Sequence, residues 1–170
     1  MKKNTYYLII GSNLGDRVDQ LTKAKKLIGQ EVGALSVESS IYETQPWGYE
    51  DQPWFLNQVL KLDSVHSPTE VLRRIKTIEV QTGREPGEKW HARHIDIDIL
   101  LYGDQVINEE YLKIPHPQLP SRNFVLVPLM ELAPELIHPG IGKSIEELYF
   151  ESKDTGEVYI FNPDEQDSPV

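Results

Sequence analysis

Arg93-His94-Ile95-Asp96-Ile97-Asp98-Ile99-Leu100-Leu101 alternates polar and apolar side chains through Ile99. A period of two is the period of a strand, so a β-strand is predicted from about residue 94 to 102. Ile95, Ile97, Ile99 and Leu101 fall on one face, and His94, Asp96 and Asp98 on the other. The apolar face belongs to a core. The polar face sets two carboxylates about 6–7 Å apart at the backbone, close enough to share a pair of cations. Without a cation they repel. The alternative is a solvated strand face, where acidic residues are common, and spacing alone leaves both open. Oxygen-only ligands select Mg2+ or Mn2+, and Mg2+ takes one or two carboxylates together with water and substrate phosphates.

Working outward, residues 5–10 read as a first strand ended by Gly11, and 15–30 as a helix with Leu14, Val18, Leu21, Ala24 and Ile28 on its apolar stripe. Residues 34–44 alternate and read as one strand, and 54–63 as another. Ser67-Pro68-Thr69-Glu70 opens a second helix, with Ser67 as N-cap, Pro68 at the first position and Glu70 closing a capping box; the helix ends near Thr82-Gly83. The order is β-α-β-β-α-β. It predicts an α+β, ferredoxin-like fold, an antiparallel sheet with two helices on one face. Residues 105–150 extend this core with a hairpin near Val106-Ile107, a Pro/His-rich loop at 114–120, a helix from Arg122 to Leu132 and a turn of helix capped by Ser144. A single domain over 1–150 is expected, followed by an acidic C-terminal tail over 151–170 that is expected to be poorly ordered.

Composition narrows the chemistry. The 170 residues fit one domain with one sizeable core. The net charge of −10 argues against a general nucleic-acid binder, and no apolar run approaches the ~18 residues of a membrane span. There is no cysteine, which removes disulfides, thiolate nucleophiles and zinc–thiolate sites. A cytoplasmic monomer is the expectation. The charge is uneven: 151–170 carries a net of −5, whereas 73–93 carries +3 next to the aspartate pair. Basic charge beside paired carboxylates suits a polyphosphate with bound metal. There is no G-x-x-x-x-G-K-[ST] loop and no kinase signature set, so phosphate binding must be built elsewhere.

Other residues extend the picture, each with an ordinary reading beside it. Arg84, Lys89 and Arg93 are suited to phosphate, or form an exposed basic loop. Phe55 and Asn57 share a strand face, where an aromatic can stack on a flat heterocycle and an amide can read its edge. Phe124 supplies a second aromatic wall, or all of these pack in the core. His116 and Arg122 complete the set, and a lone loop histidine is commonly a surface hydrogen-bonding residue.

Several motifs in order carry a resemblance. Arg93-His94-Ile95-Asp96-Ile97-Asp98-Ile99-Leu100, the N-terminal Gly11-Ser12-Asn13-Leu14-Gly15, Ile114-Pro115-His116-Pro117, and Arg122-Asn123-Phe124-Val125-Leu126 with Pro128-Leu129 together resemble the 6-hydroxymethyl-7,8-dihydropterin pyrophosphokinase family, from about residue 6 to 149. The resemblance implies transfer of pyrophosphate from ATP to the hydroxymethyl group of a reduced pterin, with release of AMP, in folate biosynthesis. It implies two Mg2+ ions on Asp96 and Asp98, and pterin stacked between Phe55 and Phe124 with Asn57 on its edge. Thr44 and the loop around Trp47 match the pterin-contacting loop. Glu79, Arg84, Trp90, Arg93, His116 and Arg122 match positions linked to ATP binding or catalysis, with Arg84 and Arg93 joining the aspartates as catalytic groups. Loops at 45–53 and 84–92 are expected to close over ATP. Two departures stand out: Pro86 sits where some members carry a second arginine, with Lys89 a substitute for its charge, and Trp47 where some have a smaller apolar residue. A silent nucleotide-binding module and a metal-dependent phosphohydrolase are the competing readings. The first needs no aspartate pair; the second uses water as acceptor.

Overall fold

The computed structural model describes residues 2–46, 51–83 and 94–165. Trp47, Arg84, Lys89, Trp90 and Arg93 lie outside them. The chain runs β1 (Asn4–Ser12), α1 (Arg17–Glu31), β2 (Ala34–Glu38), β3 (Tyr42–Thr44), β4 (Phe55–Ser64), α2 (Pro68–Gln81), β5 (Asp96–Tyr102), the hairpin β6 (Ile107–Glu109) and β7 (Leu112–Ile114), α3 (Asn123–Leu132), α4 (Ile145–Glu151) and β8 (Val158–Ile160). The main sheet is antiparallel at every pairing, in the order β5-β1-β4-β3-β8, with β2 also on β4. No helix among the described residues is long and apolar enough to cross a membrane.

Local signals explain most boundaries. The side chain of Asp16 accepts the Asp19 N–H and caps α1. Ser67 caps α2 with Pro68 in its first turn, but the Glu70 carboxylate turns to Arg73 and Arg74 instead of closing a box. Ser144 and Glu147 do form a complete capping box on α4.

Four further expectations are corrected. The strand predicted over 34–44 is broken in two. The Ser39 N–H still donates to the Val59 carbonyl, but Ser39 Oγ takes the Val59 N–H and donates to the Ser40 carbonyl, and Glu131 takes the Ser40 N–H, so side chains replace part of the ladder at the break. The two-layer picture gains a third layer. Leu21, Ala24 and Ile28 of α1 and Val71, Ile75 and Ile78 of α2 bury one sheet face with Leu8, Ile10, Leu60 and Ile97. Val125, Leu126 and Leu129 of α3 and Ile145 and Leu148 of α4 bury the other with Tyr7, Ile9 and Val59. Leu101 belongs to this second core rather than with Ile97 and Ile99. The register pairs Leu8 with Ile99 but Tyr7 with Leu101, so Leu100 is a bulge that reverses the alternation. Finally, the segment expected to be a poorly ordered tail returns to the sheet as β8, on the free side of β3.

Candidate active site

Among the described residues singled out from sequence, Phe55, Asn57, Asp96 and Asp98 lie at the starts of β4 and β5, beside the end of β1. The cross-strand register does most of the placing. Gly11 on β1 pairs with Asp96 on one side and with Asn57 on the other, and Asn57 pairs with Tyr42. Paired residues share a face, so Asp96 and Asn57 stand on the same side of the sheet with Gly11 between them. Strands are about 4.8 Å apart, which leaves a gap of about 10 Å between the two backbones. Asp98 and Phe55 lie on this same face, each two residues along its strand.

Gly11 makes room for the Asn57 amide. A Cβ added there would stand 2.3 Å from Asn57 Oδ1 and 3.5 Å from a Phe55 ring carbon. Asn57 leans over the bare backbone, held by a 2.6 Å hydrogen bond from its Nδ2 to Thr44 Oγ1. Both are buried, Thr44 at 1% exposure and Asn57 at 6%. Thr44 therefore orients the amide from the neighbouring strand. Gly11, expected to end the first strand, lies inside it, since β1 runs on to Ser12. The available signal was a glycine inside a strand, which marks a close approach.

The opposite wall is acidic. Asp96 and Asp98 are half-buried, and the Asp98 side chain is 41% exposed. Among the described residues no cluster of three or more metal-ligating side chains forms, so a cation there would draw its remaining ligands from substrate and water. The donor set, two half-exposed carboxylates on one strand face, fits a hard divalent ion. His116 joins them: its Nε2 is 4.0 Å from Asp98 Oδ2. The Gln118 N–H donates to His116 Nδ1 at 3.1 Å, which leaves Nε2 to carry the proton on the side of the aspartates. Burial holds this imidazole below the usual histidine range, against the opposite pull of Asp96. The His116 N–H, bonded to the Leu100 carbonyl at 3.0 Å, docks the loop onto β5 at its bulge.

Phe124 in the first turn of α3 and Arg122 at its N-cap come to the same sheet face as the second core. Glu79 is different. It is 1% exposed under α2, on the first core's face; its Oε2 accepts the Ile97 N–H at 2.9 Å and Lys76 Nζ lies 3.1 Å from Oε1. It grips β5 between the two aspartates. His94, expected beside Asp96 and Asp98, precedes the strand and rests between the turns at Gly15 and Gly83.

Comparison with known proteins decides the family. The model for 7,8-dihydro-6-hydroxymethylpterin-pyrophosphokinase (HPPK) matches residues 7–134. The chain belongs to this family. It is 45% identical over 143 residues to the 2-amino-4-hydroxy-6-hydroxymethyldihydropteridine pyrophosphokinase of Aquifex aeolicus, covering 84% of this chain and 89% of that one. It is 42% identical over 136 residues to the enzyme of the same name from Haemophilus influenzae, covering 79% and 85%. Wild-type Plasmodium falciparum HPPK-DHPS with pterin and p-hydroxybenzoate shares the fold, at TM-score 0.72 and 21% identity over 89% of this chain. The chain spans only 42% of that structure.

Proposed function

We propose how this pyrophosphokinase of folate synthesis performs its family's reaction, passage of the pyrophosphoryl group of ATP to the hydroxymethyl group of 6-hydroxymethyl-7,8-dihydropterin with release of AMP. The observation that carries the reading is the row Asp96–Gly11–Asn57, an acidic wall and an amide wall facing across a glycine floor. The pterin lies beside the Asn57 amide that covers Gly11, with its edge on Asn57 and its ring between Phe55 and Phe124. Thr44 holds the amide, and Trp47 belongs to the same subsite. The hydroxymethyl group then points across the row toward Asp96.

On the acidic side, Asp96 and Asp98 would hold two Mg2+ ions. Such ions would supply neutralisation of the phosphate charge when bound. The chain's own groups do the rest. The pterin hydroxyl attacks the β-phosphorus in line and gives its proton to Asp96 or to water, while the bond from the β-phosphorus to the α,β-bridging oxygen breaks and AMP leaves with that oxygen. Such transfer needs positioning and charge neutralisation more than a covalent intermediate. His116 donates from Nε2, and Arg122, Arg84, Arg93 and Trp90 bind ATP, with the two loop arginines offsetting charge on the leaving oxygens. Glu79 acts through β5, fixing the strand between its aspartates. We read the β5-β1-β4-β3 core, with α1 and α2 on one face, as ferredoxin-like.

The test is incubation with ATP, Mg2+ and the pterin alcohol. Pterin-dependent AMP formation is expected. ATP loss without pterin would point to a phosphohydrolase, and no turnover to a silent binding module.

A further inference from the structure

We propose that residues 152–161 are a strap that sets the spacing of the two aromatic walls of the pterin subsite, with Asp154 as its main positioning residue. The segment lies beyond the residues that the family model matches. The proposal rests on the reading of Phe55 and Phe124 as those walls.

At one end the strap holds the start of α3. The Arg122 side chain makes no capping hydrogen bond of its own. Asp154 supplies the cap from a distance: its Oδ2 accepts the Asn123 N–H at 2.8 Å and lies 3.5 Å from Arg122 Nε. Asn123 Nδ2 returns a bond to the Asp154 carbonyl at 3.2 Å, and Ser152 Oγ donates to the Ser121 carbonyl at 3.3 Å. Asp154 is itself fixed, since its Oδ1 accepts the Gly156 N–H at 2.9 Å and its side chain is only 7% exposed. A carboxylate on the first N–H groups of a helix satisfies orphan donors and opposes the helix dipole. Here it also fixes the turn that carries Phe124.

At the other end the strap holds both stems of the β3–β4 connection. Val158 pairs with Thr44, and the Gln45 N–H donates to the Glu157 carbonyl at 3.0 Å while Gln45 Oε1 accepts the Glu157 N–H at 3.2 Å. The Tyr159 ring lies parallel to that of Trp54, 6.2 Å between centroids. The Phe161 N–H bonds the Ile41 carbonyl, and Arg17, 5.6 Å above the Phe161 ring, donates to the Trp54 carbonyl at 3.0 Å. Gln45 follows Thr44, and Trp54 precedes Phe55. One segment thus touches the immediate neighbours of Thr44, Phe55 and Phe124. A flat ring stacked between two aromatics tolerates little error in their gap, so fixing both walls to one segment converts directly into pterin affinity.

The test uses the full chain, its Asp154→Ala, Asp154→Asn and Tyr159→Ala variants, and a chain ending at Glu151. Each is checked for folding by circular dichroism and thermal melting, then assayed for kcat and for KM of the pterin. Asp154→Ala is expected to raise the pterin KM about tenfold with kcat within about threefold, because binding geometry is lost and not the phosphoryl chemistry. Asp154→Asn, which keeps an acceptor for the Asn123 N–H, restores most of the affinity. Tyr159→Ala gives a smaller rise. Should the truncated chain fail to fold, the point variants decide. A folded Asp154→Ala protein with a wild-type pterin KM overturns the strap, as does a variant whose only defect is a smaller active fraction. A wild-type chain that makes no AMP from pterin fails the functional reading itself; an active wild type with unaltered variants fails the strap alone.

Discussion

The two faces of the sheet are both covered by a pair of helices, yet they end differently. Under α1 and α2 the face is closed, and its buried polar groups are spent on backbone: Gln58 on the Ser39 carbonyl and Glu79 on the Ile97 N–H. Under α3 and α4 the face is apolar only as far as Ile9 and Val59. Asp98 stands level with them as the cross-strand partner of Ile9, and the next row is Asp96, Gly11 and Asn57, with both aspartates half-exposed. One face stores stability. The other ends in polar rows, a buried amide at Asn57 and half-exposed carboxylates at Asp96 and Asp98. The comparison predicts that substitutions on the first face cost folding and those on the second cost chemistry.

The largest break should come at Asp98. Asp98→Ala is expected to lower Mg2+-dependent turnover by about 10³-fold or more, on the order of 4 kcal/mol at the transition state, with an unchanged melting curve. Full activity would remove the metal assignment. On the closed face the reverse is expected. Leu60→Ala, at a fully buried position, should cost about 2–5 kcal/mol in urea unfolding while the folded fraction keeps its KM values. Gly11→Ala lies between the faces in character, since its Cβ would displace the Asn57 amide. A pterin KM raised by one to two orders of magnitude is expected, roughly 1.4–2.7 kcal/mol, and an unaltered KM would show that the floor need not be bare.

Phe55→Ala should weaken pterin binding about tenfold, read by equilibrium titration, with ATP affinity preserved. An unchanged pterin constant would return Phe55 to the core. The smallest effect concerns His138, which is 5% exposed and whose Nδ1 accepts the Gly140 and Ile141 N–H groups. Burial pushes this imidazole below the usual histidine range. The unfolded chain therefore takes up the proton more readily than the folded one. Stability from this group is complete above the ordinary histidine range and is lost as pH falls through and below it. The wild type should lose more melting temperature than His138→Gln between pH 7.5 and about 5.5. Equal losses would show that His138 is not the group responsible.

Much of this was legible in the chain. Period-two and period-three-to-four patterns, together with Ser67, Ser144 and the turn glycines, located the elements, because those signals act within a few residues. The pairing of Phe55 with Asn57 and of Asp96 with Asp98 followed from alternation alone. The bulge at Leu100 was not legible, since it depends on which β1 residue each β5 residue meets. The break at Ser39 and Ser40 was hidden for the same reason: Glu131, whose carboxylate takes the Ser40 N–H and also the Tyr42 hydroxyl, is distant in sequence.

Sequence by itself determined the family and the reaction, because the motifs that define them are short and local, and the chemistry of carboxylate, amide and guanidinium groups is intrinsic to the side chain. Only the tertiary structure decided what surrounds that chemistry. The register brought Gly11 between Asp96 and Asn57 and so turned a glycine into a floor. The second helical layer gave the sheet a second apolar core beside those polar rows. The return of β8 to β3 made a structural element of a segment whose acidic composition reads as tail. Burial, register and long-range capping are properties of packed neighbours, and no window along the chain contains them.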